Sequence, residues 1–346
     1  AVTIAITVLA GDGIGPEVTS SALKVLEAAA AKHGLSITFD HQLIGGIAID
    51  EAGDPLPDET VASCQSSTGV LLGAVGGPKW DGGAQRPEMG LLRIRQQLGL
   101  FANLRPVKVF AGLEDLSPVK TAKDMDILIV RELTGGVYFG ERVEGSDYAS
   151  DLCGYSADEV TRLLKVAFDA AQGRNKRVTS VDKANVLATS RLWRHHADNI
   201  AADYQDVTLD HELVDAMAMH LVTRPASFDV VVTENLFGDV LSDEAAAISG
   251  SIGLAASASL GLPGKPGLYE PIHGSAPDIA GKGVANPAGA MLSAAMLLRY
   301  GAEESAAASD IEHAVEATVS SGLRTRDLGG DCGTSAFTDA VLSYLA

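Results

Sequence analysis

Asp239 and Asp243 stand four residues apart in "NLFGDVLSDEAA", directly after the apolar run at 228–233. The run reads as a buried strand and the segment after it as a helix, on which positions i and i+4 are neighbours. Two carboxylates on one helical face repel each other unless something positive lies between them. Their hard oxygens suit Mg2+ or Mn2+, with waters and substrate oxygens completing an octahedron. Asp215, in "LVDAMAMHL" at 213–221, is a third carboxylate of the same kind. The competing reading, that Asp239 or Asp243 only caps the start of its helix, weighs equally on this motif alone.

Arg95, Arg105 and Arg131 recur in "LRIRQQLGLFANLRP" and "LIVRELTGG". Guanidinium forks bind carboxylates bidentately, so several converging arginines suit a small substrate with two carboxyl groups. Any one of them also fits an unrelated surface ion pair. Arg131 stands apart because it ends the apolar run "DILIV", where α/β sheets place their sites. Tyr138 and Lys183 form a candidate proton-transfer pair, since nearby cations lower a phenol or ammonium pKa toward working pH. Each taken singly also fits a structural role. Gly135-Gly136 allows a sharp turn that presents the phenol.

Two loops are rich in glycine. "LAGDGIGPE" follows a strand and opens a helix, but its Gly11-x-Gly13-x-Gly15 spacing does not match the G-x-G-x-x-G fingerprint. "EPIHGSAPDIAGKGVANPAGAM", 270–291, offers backbone donors for a dinucleotide, and Asp278 is placed to accept from a ribose hydroxyl.

These residues need elements to hold them. Strand-like and helix-like segments alternate, beginning with a strand at 2–9, a helix at about 16–33, a strand at 36–43 and an apolar strand at 69–76. That is α/β grammar. "SADEVTRLLKVAFDAAQGR" is a helix with Ser156 and Glu159 as a capping box, a stripe of Val160, Leu163, Leu164, Ala167 and Phe168, and Gly173 as its stop. A strand then enters a loop at "RVTSVDKANV", followed by a helix at "SRLWRHHADNIAADY" and a strand at "VTLDHE". Residues 213–221 are apolar on every side, so a helix there is expected to be buried all round, against another subunit, with Asp215 near the interface.

The chain has 346 residues, 46% of them hydrophobic, enough for one large or two ordinary domains with a sizeable core. A formal net charge of −19, from 45 acidic and 26 basic residues, repels nucleic acid and anionic membrane, and no basic patch offsets it. The excess also suits a demand for solubility or a saline environment. Cys64, Cys153 and Cys332 lack disulfide or metal-ligand spacing and read as buried small hydrophobes in a reducing, cytoplasmic compartment. The apolar start lacks the basic flank of a signal peptide, and no stretch is long and apolar enough for a membrane span.

Taken in order, "GDGIGPE", "RPEMGLLRIRQQLGLFANLRP", "RELTGGVYFGE", "SVDKANVL", "VDAMAMHL", "TENLFGDVLSDEAA" and "HGSAPDIAGKGVANP" resemble the 3-isopropylmalate dehydrogenases. These belong to the metal-dependent β-decarboxylating dehydrogenases, with isocitrate, homoisocitrate and tartrate dehydrogenases. The resemblance runs from about residue 3 to the C-terminus. It implies a non-Rossmann, two-domain isocitrate/isopropylmalate dehydrogenase-like α/β fold, with residues 1–100 and 253–346 in the first domain and 101–252 in the second. It also implies a homodimer with shared active sites, NAD as cofactor, and oxidative decarboxylation of 3-isopropylmalate to 2-oxoisocaproate in leucine biosynthesis.

Carried over by position, Arg95, Arg105 and Arg131 bind the malate carboxylates. Asp239 and Asp243 hold Mg2+ or Mn2+ with Asp215 of the other subunit, which also borders the substrate. Lys183, again from the other subunit, takes the hydroxyl proton, and Tyr138 supplies the proton that completes the product. Glu88, Leu91 and Leu92 meet the isopropyl group and nicotinamide. His273, Gly274, Ser275, Ala276, Pro277, Asp278, Ile279 and Asn286 form the cofactor loop, where Asp278 and Ile279 match the NAD type. Two positions depart from the pattern: Glu234 stands where a small residue is common, adding an anion near the metal site, and Arg326 replaces a commoner Pro or Ala. The runner-up is a relative acting on tartrate, malate or homoisocitrate. A non-catalytic regulatory subunit is disfavoured by the full set of arginines, aspartates, Tyr138 and Lys183. Without the resemblance, a Mg2+-dependent hydrolase or phosphoryl-transfer enzyme would also fit.

Overall fold

The computed structural model describes residues 3–250 and 252–346. The chain divides into two compact units: Ala1–Leu100, Phe110–Leu113 and Ser251–Ala346 form one, and Phe101–Val109 with Glu114–Gly250 the other.

In the first unit, β1 (Ile4–Gly11) passes through Asp12 and Gly13 into α1 (Gly15–His33). The strand expected at 2–9 begins on Val2, outside the described residues. Pro16 sits in the first turn of α1, where a missing N–H costs nothing, and Gly34 ends the helix in the left-handed conformation. There follow β2 (Ile37–His41), α2 (Gly46–Ala52), α3 (Asp58–Ser66), β3 (Gly69–Ala74) and α4 (Glu88–Gln97). Every residue of β3 is buried, which is why "GVLLGA" shows no polar alternation: a parallel strand covered on both faces needs none.

The second unit opens with β4 (Ala102–Lys108), β5 (Asp126–Glu132) and a short hairpin, β6 (Arg142–Val143) with β7 (Ser150–Asp151). It continues through α5 (Ala157–Gln172), β8 (Arg177–Asp182), α6 (Ala188–Ala201), β9 (Thr208–Leu213), α7 (Val214–Thr223), β10 (Val230–Thr233) and α8 (Asn235–Ser249). Apart from the antiparallel β6–β7 pair, its strands lie in the order β4-β5-β10-β8-β9, all parallel except β4, which runs antiparallel to β5. Ile127, Ile129, Val181, Val231, Met217 and Leu241 form its core.

The chain then returns to the first unit with β11 (Ala256–Leu260), β12 (Gly267–Pro271), α9 (Ala288–Met296), α10 (Ser305–Ser320) and α11 (Thr334–Leu345). The order there is β2-β1-β3-β12-β11, with β11 antiparallel to β12. Leu9, Ile44, Leu56, Val70, Leu72 and Ile94 form this unit's core. The expectation of buried cysteines is met at Cys64 and Cys332 but not at half-buried Cys153. Among the described residues no helix is long and apolar enough to cross a membrane.

The capping box of α5 is formed as its sequence requires: Ser156 Oγ accepts the Glu159 N–H at 3.2 Å, and Glu159 Oε2 accepts the Ser156 N–H at 2.8 Å. The stripe from Val160 to Phe168 is buried. The helix at 213–221 is formed as α7 (Val214–Thr223). Only Met217 and Leu221 of α7 are buried, while Met219 is 62% and Val222 40% exposed. Composition reports what a face is made of, not what covers it, and α7 packs only one side onto its own chain.

Phe168 is fully buried, so Phe168→Ala is expected to cost about 3–5 kcal/mol. Urea unfolding followed by circular dichroism measures this, and a loss below about 1 kcal/mol would show that the α5 stripe is not a packed core.

Candidate active site

Arg131 sits at the carboxyl end of β5, in register with Thr233 of β10, so it lies beside the start of α8. Its side chain is buried and each of its three nitrogens donates a hydrogen bond. Nε donates to Asn235 O at 3.0 Å and Asn235 Oδ1 at 3.2 Å, Nη2 to Asn235 Oδ1 at 2.8 Å, and Nη1 to Asp239 Oδ1 at 2.8 Å. Gly238 makes the approach possible, because a Cβ there would lie 2.5 Å from Arg131 Cγ.

Tyr138 is brought to the same carboxylate by the Gly135-Gly136 turn, with Gly136 in the left-handed region at φ 72°. Its hydroxyl donates to Asp239 Oδ2 at 2.5 Å, and the Arg131 guanidinium lies 5.5 Å from its ring centre. The expectation that cations lower this phenol's pKa is reversed. Burial raises it first, the hydrogen bond and charge of Asp239 add to that, and Arg131 opposes them only in part.

Arg105, on β4, donates to Asn103 Oδ1 and Ser242 Oγ at 2.9 Å each and lies 3.6 Å from Asp243 Oδ1. Asp239 and Asp243 are 40% and 78% exposed, so both carboxylates are open to a ligand. Neither caps α8. That place is taken by Glu234, whose carboxylate accepts the Phe237 N–H at 2.7 Å. Asp215, in the first turn of α7, instead accepts from Lys183 Nζ at 2.5 Å, and this hydrogen bond holds its carboxyl below the usual range.

The two aspartates of α8 fit a hard divalent cation in donor type and exposure. Among the described residues, however, no group of three His, Cys, Asp or Glu side chains stands close enough to hold one. One chain supplies two anionic ligands, and the rest must come from water, substrate or another copy.

In the first unit, Glu88, Leu91, Leu92 and Arg95 share one face of α4 at the spacing i, i+3, i+4, i+7. Leu92 is exposed, Leu91 is half-buried against the core, and Arg95 Nη2 lies 3.7 Å from Glu270 Oε1. The loop after β12 is braced by the first glycine loop. Ser275 O accepts the Ile14 N–H at 2.7 Å, and a Cβ on Gly13, at φ 59°, would lie 1.9 Å from that oxygen. Asp12 accepts the N–H groups of Gly46, Ile47 and Gly76 at 2.7–2.8 Å, so "GDGIGPE" is a structural knot and not a dinucleotide fingerprint. Beyond the knot, Gly274, Pro277 and Asp278 are exposed, Ala276 and Ile279 are half-buried, and Ala276 takes a left-handed φ of 39°. Asn286, just before α9, accepts the Ala288 N–H at 3.0 Å and donates to Asp327 at 3.0 Å. His273 Nδ1 is engaged with the Gly274 carbonyl at 2.9 Å, whereas buried Nε2 has no hydrogen-bond partner and burial lowers the ring's pKa. A neutral imidazole with a free nitrogen beside exposed backbone suits a polar ligand.

A profile described as isocitrate/isopropylmalate dehydrogenase matches residues 5–341. The chain belongs to this family. It is 55% identical to a 3-isopropylmalate dehydrogenase of Anaeromyxobacter dehalogenans over 99% of each chain. It is 52% identical to one of Streptococcus thermophilus over 98% of this chain and 99% of the relative. Among solved structures, an isocitrate dehydrogenase of Methylococcus capsulatus superposes with a TM-score of 0.85 at 37% identity, covering 99% of both chains. A β-decarboxylating dehydrogenase of Thermococcus kodakarensis does so with a TM-score of 0.85 at 36% identity, covering 99% of this chain and 96% of the other. The fold is therefore the family's α/β fold, and the chain is an oxidoreductase of the decarboxylating dehydrogenase kind.

Within this family fold, three supporting residues were not singled out by sequence reasoning: Asn235, which takes most of Arg131's donors, Ser242, which orients Arg105, and Glu270, which faces Arg95. Asn235 and Ser242 lie inside the quoted "TENLFGDVLSDEAA", so their positions were visible while their partners were not. Glu234, read as an added anion near the metal site, is buried, and its carboxyl group meets the first turn of α8 through one oxygen and Tyr155 through the other. Arg326 lies in a short turn at Arg326–Leu328, and nothing in the structure explains its substitution.

Because Tyr138 is raised, its proton stays on through neutral pH and leaves only above the ordinary tyrosine value of about 10. An ultraviolet titration of tyrosinate should lose one late-ionising step in Tyr138→Phe. Loss of a step at or below the ordinary value would contradict the geometry.

Proposed function

We propose that this chain catalyses the oxidative decarboxylation of 3-isopropylmalate to 2-oxoisocaproate and CO2, with NAD+ and Mg2+ or Mn2+, as a step of leucine biosynthesis. The observation that carries the reading is the convergence of a buried guanidinium, an exposed carboxylate and a neutral phenol at Arg131, Asp239 and Tyr138. In a family of decarboxylating dehydrogenases these supply an anion grip, a ligand for a hard cation and a proton donor.

Arg95, Arg105 and Arg131 bind the two substrate carboxylates, since each presents a guanidinium near a carboxylate that an anionic ligand or a cation can displace. Asp239 and Asp243 hold the cation, joined by Asp215 of a second copy. When bound, the cation supplies Lewis acidity to the substrate oxygens and NAD+ accepts hydride from C2. Lys183 of the second copy takes the C2 hydroxyl proton. Tyr138, kept protonated by burial and by Asp239, delivers its proton to the carbon from which CO2 has departed.

Leu91 and Leu92 on α4 select the isopropyl group, because the third carboxylate of an isocitrate-like substrate would be desolvated there without a counter-charge. Glu88 borders the same face. Backbone around His273, Gly274, Ser275, Ala276, Pro277 and Ile279 holds the dinucleotide, while Asp278 accepts from the ribose 2′-hydroxyl and repels a 2′-phosphate. Asn286 acts by fixing the loop onto α9. The homodimer is supported by the uncovered apolar side chains of Leu236, Val240, Met219 and Val222 on α7 and α8, beside Asp215.

Appearance of NADH from 3-isopropylmalate, abolished by EDTA and restored by Mg2+ or Mn2+, tests the reading directly; metal-independent turnover would refute it. Asp239→Asn and Asp243→Asn should each remove the metal-dependent rate while the protein stays folded, because each deletes one of few anionic ligands.

Subunit sharing has its own test. Inactive Lys183→Ala dimers mixed with inactive Arg131→Ala dimers should recover roughly a quarter of wild-type activity once chains exchange, since each heterodimer holds one intact site. Heterodimers seen by native mass spectrometry without activity would mean that Lys183 serves its own chain.

A further inference from the structure

The hydroxyl of Tyr155 lies between two buried carboxyl groups, 3.2 Å from Glu132 Oε2 and 3.3 Å from Glu234 Oε2. The same oxygen accepts the Asn235 N–H at 3.1 Å. A phenol has one proton, so it donates to one carboxyl only. Glu132 is the acceptor. Its Oε1 receives the Thr134 N–H at 2.7 Å and the Thr134 hydroxyl at 2.6 Å, and its Oε2 receives the Gly135 N–H at 2.7 Å, a set made only of donors. Arg162 Nη2 donates to Thr134 Oγ1 at 2.7 Å, which commits that hydroxyl's proton to Glu132. Glu234 Oε1 accepts from Phe237 N–H. Its Oε2 is thus left facing a phenol oxygen whose proton points elsewhere, and two buried acceptors in contact with no proton between them are strongly unfavourable.

We propose that Glu234 holds the missing proton as a neutral acid, donating through Oε2 to Tyr155, and so serves as a positioning residue that locks the Tyr138 turn to the first turn of α8. With that proton in place the count closes: Tyr155 accepts from Glu234 and Asn235 and donates to Glu132. The bridge ties together the two segments that must meet at Asp239. On one side, Glu132 holds Thr134 and Gly135, and Gly135 O accepts from Asn235 Nδ2 at 3.1 Å. On the other, Glu234 and Asn235 begin α8. Gly136 lies between, where a Cβ would stand 2.7 Å from the Tyr155 oxygen and 3.1 Å from Glu234 Oε2. Burial raises the Glu234 carboxyl above the usual carboxylate range; the N–H groups of Phe237 and Leu236 and the Tyr155 hydroxyl oppose this in part, and the charge of Glu132 adds to it.

Infrared difference spectra of wild type against Glu234→Gln near neutral pH test the proton. A carboxylic-acid C=O band present in wild type and lost in Glu234→Gln is expected; no such band, or one that survives the substitution, overturns the neutral acid. The positioning role rests on the proposed activity and is read by kinetics. Glu234→Ala should lower kcat about tenfold with KM for NAD+ changed less than about twofold, and Glu234→Gln, which keeps both neutral hydrogen bonds, should recover most of that loss. Glutamine as slow as alanine, with native near-ultraviolet dichroism, overturns positioning. If Glu234→Ala does not fold, the rate of Glu234→Gln against wild type decides the same point. Absence of NAD+ reduction by wild type would sink the proposed function while leaving the infrared result to decide the proton.

Discussion

A buried guanidinium is the constraint on which the second unit depends. Arg131 follows the buried apolar run 127–130 of β5, and a charge withdrawn from water is strongly destabilising unless it is paired and hydrogen-bonded. The chain meets that demand with the first turn of the helix after β10, through the carbonyl and side chain of Asn235 and the carboxylate of Asp239. The β5–β10 register then has little freedom, because a shift by one residue would turn Arg131 to the other face of the sheet. Gly238 must lack a side chain for the same reason.

Function follows from how incompletely that charge is neutralised. Asp239 serves Arg131 and Tyr138 in the folded chain and a cation in the proposed reaction. Its exposure lets it change partners. The carboxylate that keeps the Tyr138 phenol protonated is therefore also the one that a bound cation would engage, and the proton donor and the metal ligand are electrostatically coupled. The first unit solves a different problem. Its ligand loop is braced at Ser275 by Ile14 and Gly13 and fixed at Asn286, while Gly274, Pro277 and Asp278 remain exposed.

Local signals were legible in the sequence wherever one segment determines its own structure. The capping box of α5, Pro16 at the start of α1 and the unbroken apolar runs of β3 and β10 all depend on neighbours in sequence. The family motifs likewise carried the fold and the chemistry, since they are long and occur in order. What could not be read was anything decided by partners distant in sequence. Asp239 and Asp243 were balanced between cap and ligand because the competing cap, Glu234, precedes the helix by one residue and shows its role only in three dimensions. Tyr138 was expected to be lowered by cations, yet the nearer and stronger neighbour is an anion. The all-round apolar composition of α7 was legible, whereas which of its side chains its own chain covers was not, since composition does not name a cover.

The central claim is that the chain acts on 3-isopropylmalate in preference to the substrates of its relatives. The most direct measurement is kcat/KM with NAD+ for 3-isopropylmalate beside isocitrate, homoisocitrate, malate and tartrate, under the same Mg2+ concentration. The predicted result is a preference for 3-isopropylmalate of at least about a hundredfold over each rival, the scale that a buried uncompensated charge or a missing apolar group can impose. Equal or greater efficiency with any of the others would contradict it.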